Sequence, residues 1–130
     1  MPRMTQLSVC LENKPGTAAK MGDVLRGAKV NLLAISVVDT AEACVIRLIV
    51  DNTAKAGMAL TRAGMKPLRQ PVLVLELPNE VGALADTAAT LAKAGVNINY
   101  LYGSAPRGTE EAMLVLGVDD IGAALEATGG

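Results

Sequence analysis

The chain has 130 residues, with 12 lysines and arginines against 13 aspartates and glutamates, so its formal net charge is −1. This balance argues against a nucleic-acid-binding protein, since such proteins usually carry a strong positive charge. Histidine is absent, and it is the commonest general base and metal ligand of proteins. We therefore expect no catalytic site, metal or cofactor.

The amino-terminal residues lack the apolar segment of a signal peptide, and no apolar run approaches the ~18 residues of a membrane span. The two cysteines do not have the clustered spacing of a disulfide framework or a zinc site. We therefore expect a cytoplasmic protein that does not bind membranes.

The first half of the chain predicts the element order β-α-β-β-α-β. Apolar side chains alternate from Leu7 to Leu11, as in a strand with one covered face. The turn from Asn13 to Gly16 ends this strand, and apolar residues at helical spacing follow it. The predicted elements are strands at 6–11, 30–38, 43–50 and 65–70, helices at 18–28 and 54–63, and a hairpin turn at 39–42.

The second half repeats the first at a constant offset of 66 residues, as from Asn13 to Asn79. Eight of the 25 pairs between residues 11–35 and 77–101 are identical, and so long a period indicates one supersecondary unit per copy. The predicted elements are strands at 72–77, 97–103 and 111–118 and helices at 83–93 and 121–127. The second copy stops before a fourth strand, which leaves a sheet edge for a preceding segment or another chain to cover.

These elements predict an α+β fold of two tandem modules, at residues 4–70 and 71–128. Each module is an antiparallel sheet with both helices on one face, and the second lacks its final strand. A module of this size buries only ~60% of its unfolded surface, so we expect the two modules to share an interface. Because there is almost no linker, we expect the two sheets to lie beside or against each other.

Strand alternation also predicts an apolar face on the side of each sheet away from the helices. The helix-facing residues of the first copy are Leu7, Val9, Ile35, Ile46 and Leu48. The opposite face carries Ala34, Ser36, Val45, Arg47 and Ile49 in the first copy and Val72, Val74, Tyr100, Tyr102, Met113 and Val115 in the second. A face this apolar predicts an interface between the copies, between two chains, or both. Cys10 and Cys44 fall on opposite faces, which excludes a disulfide between them.

The Asn-x-x-Gly turn, the helix after it and the Val-Asn dipeptide that opens the next strand resemble the ACT domain, a small-molecule-sensing module of amino-acid metabolism. The resemblance occurs twice and covers nearly the whole chain. It implies two ferredoxin-like antiparallel sheets, pairing of domains through their sheets, and an amino acid bound where two domains meet.

The resemblance also implies candidate ligand-binding residues. In serine-sensing members of the family, the asparagines of the turn and of the strand hold the ligand. They match Asn13 and Asn31 in the first copy and Asn79 and Asn97 in the second. Those members carry histidine two residues before the first asparagine, where both copies of this chain have leucine. The resemblance therefore argues against serine as the ligand.

Elementary chemistry agrees that this turn can bind a ligand. The first turn of a helix offers unpaired N–H groups and the positive end of its dipole to a carboxylate. Gly16 and Gly82 would let a ligand approach the backbone closely. Asparagine also forms turns and caps helices without any ligand, and an asparagine at a strand start can bond to a neighbouring loop. A purely structural role is therefore the alternative for these residues.

Tyr100 and Tyr102 are the only aromatic residues in the chain. They either fill a sheet interface or form the wall of a ligand site through their rings and hydroxyls. Together with the longer loop at 104–109, they favour the second copy as the working site. Two roles are likewise open for Arg47: an ion pair with a nearby carboxylate, or a contact with a ligand.

The sequence thus predicts a non-catalytic regulatory protein, expected to be a homodimer, that binds an amino acid and modulates a metabolic enzyme or regulator. The alternative is a ligand-free docking subunit, resembling the small subunit of acetolactate synthase, which acts through its apolar sheet face. An RNA-binding module shares the strand order, but it needs a basic surface and aromatic pairs on its central strands. This chain has a net charge of −1, and its two tyrosines lie on one strand that is not equivalent to those. The sequence therefore argues against RNA binding.

Overall fold

The computed structural model describes residues 3–39 and 43–129, which form an α+β fold of six antiparallel strands and four helices. They divide into two compact units: the first unit is Thr5–Gln70, and the second unit consists of the described residues of Met1–Met4 and Pro71–Gly130. In chain order the elements are β1 (Arg3–Glu12), α1 (Thr17–Gly27), β2 (Leu32–Asp39), β3 (Ala43–Val50), α2 (Thr53–Arg62), β4 (Leu68–Pro78), α3 (Ala83–Lys93), β5 (Ile98–Ser104), β6 (Glu111–Val118) and α4 (Ile121–Ala127).

The sheet of the first unit has the order β2-β3-β1, and both pairs of strands are antiparallel. Leu7 lies opposite Leu48, and Val9 lies opposite Ile46, so these four side chains share one face. They pack against α1 and α2 in a core whose buried members include Leu7, Val9, Met21, Leu25, Ile46, Leu48, Ala56 and Leu60. The predicted inward orientation of these four strand residues is thus confirmed.

The first residues of β4 also belong to the first unit. The side-chain oxygen of Gln70 accepts hydrogen bonds from Gln6 Nε2 at 3.4 Å and from Ser8 Oγ at 3.3 Å. Gln6 is fully buried. The beginning of β4 therefore lies beside β1 within this unit.

The sheet of the second unit has the order β4-β6-β5, again with antiparallel pairs. Its buried core residues are Leu73, Leu91, Val96, Leu116 and Ala124. Arg3 and Met4, the first two described residues of the chain, are grouped with this unit, although the sequence analysis assigned Met4 to the first repeat.

Two kinds of turn begin the helices. Gly16 and Gly82 precede α1 and α3 with a φ of 90°, a left-handed conformation that favours glycine. Asn52 and Asp120 precede α2 and α4, and their side chains accept the backbone N–H three residues later at 3.1 and 3.0 Å. No helix in the described part of the chain is long and apolar enough to cross a bilayer.

The strand β4 differs from the prediction. It is one strand from Leu68 to Pro78, where the sequence analysis placed two extended segments separated at Pro71. The φ of proline is compatible with an extended chain, and only its missing N–H limits pairing. The predicted break at Pro71 was therefore wrong.

The predicted helix-facing position of Ile35 is confirmed, but the residue is not buried. It lies opposite Leu48 and so shares the helix-covered face, yet it is 42% exposed. The reason is that β2 is the outer strand of the order, and none of its residues belongs to the buried core. Cys10 is exposed and Cys44 is buried, and both are free thiols. Apart from Asp39, the predicted hairpin turn at 39–42 lies outside the described residues.

Candidate functional site

The first Asn-x-x-Gly turn, residues 13–16, is closed by short-range hydrogen bonds. The N–H of Thr17 donates to the carbonyl oxygen of Lys14 at 3.3 Å, and Thr17 Oγ1 donates to that of Glu12 at 2.8 Å. A Cβ on Gly16 would meet open space, so the backbone conformation is what requires glycine there. Among the described residues no side chain caps α1, so its first turn keeps N–H groups that lack intrahelical acceptors.

A cleft of about 400 Å³ lies beside this turn in the first unit. Residues 14–17 and α1 form one wall, and residues 63–65, which follow α2, form the other. Gly16, Lys14 and Lys20 line the cleft, whereas the exposed Asn13 does not. Lys14 also forms an exposed ion pair with Glu12 at 3.2 Å. Glu12 also lines the cleft and offsets the charge of Lys14, so the net positive charge is that of Lys20. A helix N-terminus beside this ammonium group attracts an anionic group such as a carboxylate.

The second turn, residues 79–82, carries the opposite charge. Glu80 and Asp86 stand at the positions of Lys14 and Lys20, and Asp86 lies in the first turn of α3. Carboxylates near a helix N-terminus neutralise its positive dipole. The two turns share their backbone conformation and differ in the ligand charge that they favour.

Asn79 has a defined structural role in the second turn. Its N–H donates to the carbonyl oxygen of Glu110 at 2.8 Å, and its Nδ2 donates to that of Thr109 at 3.2 Å. The residue at the N-cap of α3 is Gly82. Asn79 therefore fastens the turn to the β5–β6 loop and does not cap the helix.

Asn31 and Asn97 directly precede β2 and β5, and each is held by an aspartate. The N–H of Asn31 donates to Asp51 Oδ1 at 2.9 Å, and that of Asn97 donates to Asp119 Oδ1 at 2.9 Å. The carbonyl oxygens of the two asparagines accept the N–H groups of the same aspartates at 3.1 and 3.2 Å. These aspartates were not among the predicted functional residues, although each directly precedes the capping residue of the next helix in both repeats.

The structure does not bring the two asparagines of a repeat together. In the first unit, Glu12 at the end of β1 lies opposite Ala43, whereas Asn31 bonds to Asp51 just beyond the other end of β3. The eight residues of β3 span roughly 26 Å at about 3.3 Å per residue. Asn13 and Asn31 are thus near opposite ends of the sheet, and the second unit has the same arrangement for Asn79 and Asn97.

Tyr100 and Tyr102 lie on the face of the second sheet away from its helices. Tyr100 stands opposite Gly117, and its ring covers this glycine so closely that a Cβ there would overlap it. In the first unit the equivalent pair is Ala34 on β2 opposite Ile49 on β3. The larger residue of the pair is thus on the middle strand of the first unit and on the outer strand of the second. Tyr100 therefore packs within its own sheet, and its predicted role in an interface or in a ligand wall stays a prediction.

Glu76 and Glu111 share that face of the second unit, on β4 and β6. The pKa of the Glu111 carboxyl is raised because its protonated form can donate a hydrogen bond to the negatively charged Glu76, with smaller effects of desolvation and of Glu110. Two carboxyl groups in this relation tend to share a proton. Neither glutamate was among the predicted functional residues. In residues 3–39 and 43–129 no group of three or more histidine, cysteine or acidic side chains is arranged to hold a metal ion.

Each half of the chain thus contains a strand, a glycine turn, a helix, a hairpin and a second short helix, which defines a tandem α+β protein of the ACT type. The family model of the ACT domain pair matches residues 2–127. The chain belongs to the ACT domain pair family, and the resemblance predicted from its sequence is confirmed.

Solved structures share this fold. Protein BT0572 from Bacteroides thetaiotaomicron superimposes with a TM-score of 0.92 at 30% identity, covering 98% of this chain and 88% of that one. The ligand-free regulatory subunit of aspartate kinase from Thermus thermophilus gives a TM-score of 0.70 at 19% identity, with coverages of 96% and 90%. The same subunit from Thermus flavus gives 0.67 at 18%, with coverages of 99% and 92%. A search of curated protein sequences gave no significant match.

Proposed function

We propose that this chain is a non-catalytic regulatory protein that binds a small amino acid where ACT domains meet and so modulates a metabolic enzyme or regulator. The observation that carries the proposal is the cationic cleft beside the first Asn-x-x-Gly turn of an ACT domain. The fold shared with regulatory subunits of aspartate kinase supports a regulatory role.

The charges of the two turns indicate how the amino acid is oriented. Its carboxylate would meet the first turn of α1, where Lys20 adds positive charge and Lys14 is paired with Glu12. The second turn offers Glu80 and Asp86 instead, which repel a carboxylate. We therefore propose the first repeat as the carboxylate-binding copy, whereas the aromatic residues alone favoured the second.

The separation of Asn13 and Asn31 indicates that one unit does not supply both asparagines to one small ligand. A site that uses both kinds of asparagine must be completed by another ACT domain. This requirement supports binding at a junction of domains, as the family resemblance implies.

A homodimer is the second part of the proposal. The outer strand β2 exposes Leu33, Ile35, Val37 and Val38, at 42–52% of their surface, and its one charged residue is Asp39 at its end. Charged residues and prolines normally protect an edge strand from pairing. Antiparallel pairing of β2 with its copy in a second chain would cover this edge with the same residues on both sides.

The exposed β2 strand also supports the alternative function, that of a docking subunit without a ligand of its own. In that case β2 would bind the regulated protein directly. The two functions differ in one property, because only the first requires that a free amino acid stabilise the protein.

A thermal-shift scan against the twenty amino acids tests the proposed function. A ligand at a hundred times its Kd stabilises the folded state by about 2.7 kcal/mol, so one amino acid should raise Tm by several degrees. Lys20→Glu should abolish the shift, whereas Lys93→Glu, the same change in the last turn of α3, should keep it. An unchanged Tm with every amino acid would favour the docking subunit.

A further inference from the structure

A second cleft of the first unit lies between the C-terminal half of α2 and the start of β4, with a volume of about 330 Å³. Its lining residues are Gly57, Met58, Thr61, Arg62, Pro67 and Arg69. None of these residues lines the cleft beside the first Asn-x-x-Gly turn. The second cleft is therefore separate from the proposed amino-acid site.

The guanidinium group of Arg69 lies directly against the backbone of α2 at Gly57. A Cβ at Gly57 would be 3.0 Å from Nη2 and 3.8 Å from Cζ of Arg69. Glycine is unfavourable in a helix interior, and Gly57 is not among the glycines with positive φ. The backbone conformation of Gly57 therefore does not require glycine, whereas the close approach of the Arg69 guanidinium does favour a residue without a Cβ.

Arg62 and Arg69 bring two positive charges to this cleft. No carboxylate in residues 3–39 and 43–129 forms an ion pair with either arginine, whereas Arg26 is paired with Asp23. Arg62 lies in the last turn of α2, where the negative end of the helix dipole partly neutralises it. Arg69 has no such compensation, so the cleft keeps a net positive charge.

We propose that this cleft binds an oxyanion, the phosphate or carboxylate group of a small metabolite, between Arg62 and Arg69. Guanidinium groups present their N–H donors as a planar fork that matches the oxygens of both groups. Met58 and Pro67 provide apolar contacts for the remainder of the ligand. The second unit lacks this arrangement, because Leu125 of α4 corresponds to Gly57 when the two helices are aligned at their capping residues, Asp120 and Asn52.

To test the proposal, the full chain is titrated with inorganic phosphate at low ionic strength, and its backbone amides are followed by NMR. We expect saturable shifts of the amides at 57, 61, 62 and 69. The affinity should fall by about tenfold or more in Arg69→Gln, as expected for the loss of charge-assisted hydrogen bonds. It should also fall in Gly57→Ala, which displaces the guanidinium but keeps both charges and the helix. It should be unchanged in Arg107→Gln, the same charge change on an exposed loop of the second unit.

Equal losses of affinity in Arg69→Gln and Arg107→Gln would show that phosphate binding depends only on the overall charge of the protein, which would overturn the proposal. So would a folded wild-type protein without saturable phosphate binding, or a Gly57→Ala variant with unchanged affinity. Repeating the titration with methyl phosphate and with acetate identifies the ligand group, and tighter binding of either one supports an oxyanion site.

Discussion

Asp51 and Asp119 hold the asparagine that directly precedes the second strand in each repeat through a pair of hydrogen bonds. Removing the carboxylate leaves the N–H of the asparagine without this acceptor. We expect Asp51→Ala to lower the free energy of unfolding by about 1 kcal/mol, the usual net value of such a bond, as measured by urea denaturation. Glu126→Ala, a change at another exposed acidic residue, should have a smaller effect, and equal effects would contradict this role for Asp51.

The packing of Tyr100 on Gly117 predicts a coupled pair of substitutions. Gly117→Ala should destabilise the protein by about 1–3 kcal/mol, because the new methyl group displaces the ring. The same substitution should cost much less in a Tyr100→Ala background, since the ring is then absent. A double-mutant cycle measures the coupling, and additive effects would show that the ring does not lie on the glycine.

The pair of Glu76 and Glu111 predicts a pH dependence. The pKa of Glu111 is raised in the folded protein, so the folded state binds this proton more tightly than the unfolded chain does. The contribution of the pair to stability is therefore present at low pH and is lost as the pH rises through the raised pKa. Glu76→Gln should return the pKa of Glu111 toward its usual value. An NMR titration of the Glu111 side chain measures this change, and an identical titration curve in the variant would assign the shift to another cause.

At the scale of the elements, β2 is an edge strand that exposes several apolar side chains, which pairing with another strand would cover. A lysine at Val37, which is 52% exposed, would add a charge to the edge that we propose to pair in the homodimer. We expect Val37→Lys to be a monomer by sedimentation analysis under conditions in which the wild type is a dimer. Val81→Lys, the same change at a fully exposed loop residue, should remain dimeric. A dimeric Val37→Lys would place the interface elsewhere.

The elements were predictable where one local rule dominates. The bounds of β3, β6 and α4 agree with the predicted ones, because alternation, helical spacing and capping residues mark their ends. β4 was divided at Pro71 because proline often breaks a strand, whereas strand continuity depends on neighbours distant in sequence. The exposure of Ile35 also depends on tertiary structure, since alternation identifies a face but does not reveal which strand is outermost.

The candidate site was only partly predictable. The repeat and the family resemblance located the two turns and the two strand starts. The separation of Asn13 from Asn31 follows from topology: a helix that connects two parallel strands returns the chain to the opposite end of the sheet. The cleft could not be predicted, because residues 63–65 reach it from the other end of the repeat.

For the whole molecule, the central feature is that two copies of one unit have diverged in charge. The first turn carries lysines where the second carries acids, and the pair Ala34–Ile49 corresponds to Tyr100–Gly117. The backbone features shared by the copies maintain the fold, and we propose that the side chains that differ decide ligand preference. We therefore expect the two units to contribute unequally to amino-acid binding.

The most direct test of this account is an NMR titration of the isotope-labelled full chain with the amino acid identified in the thermal-shift scan. The account predicts saturable shifts at the amides of residues 16–20, with little change at residues 82–86, and loss of the shifts in Lys20→Glu. Shifts centred on residues 82–86, or binding that survives in Lys20→Glu, would contradict the assignment of the carboxylate to the first repeat.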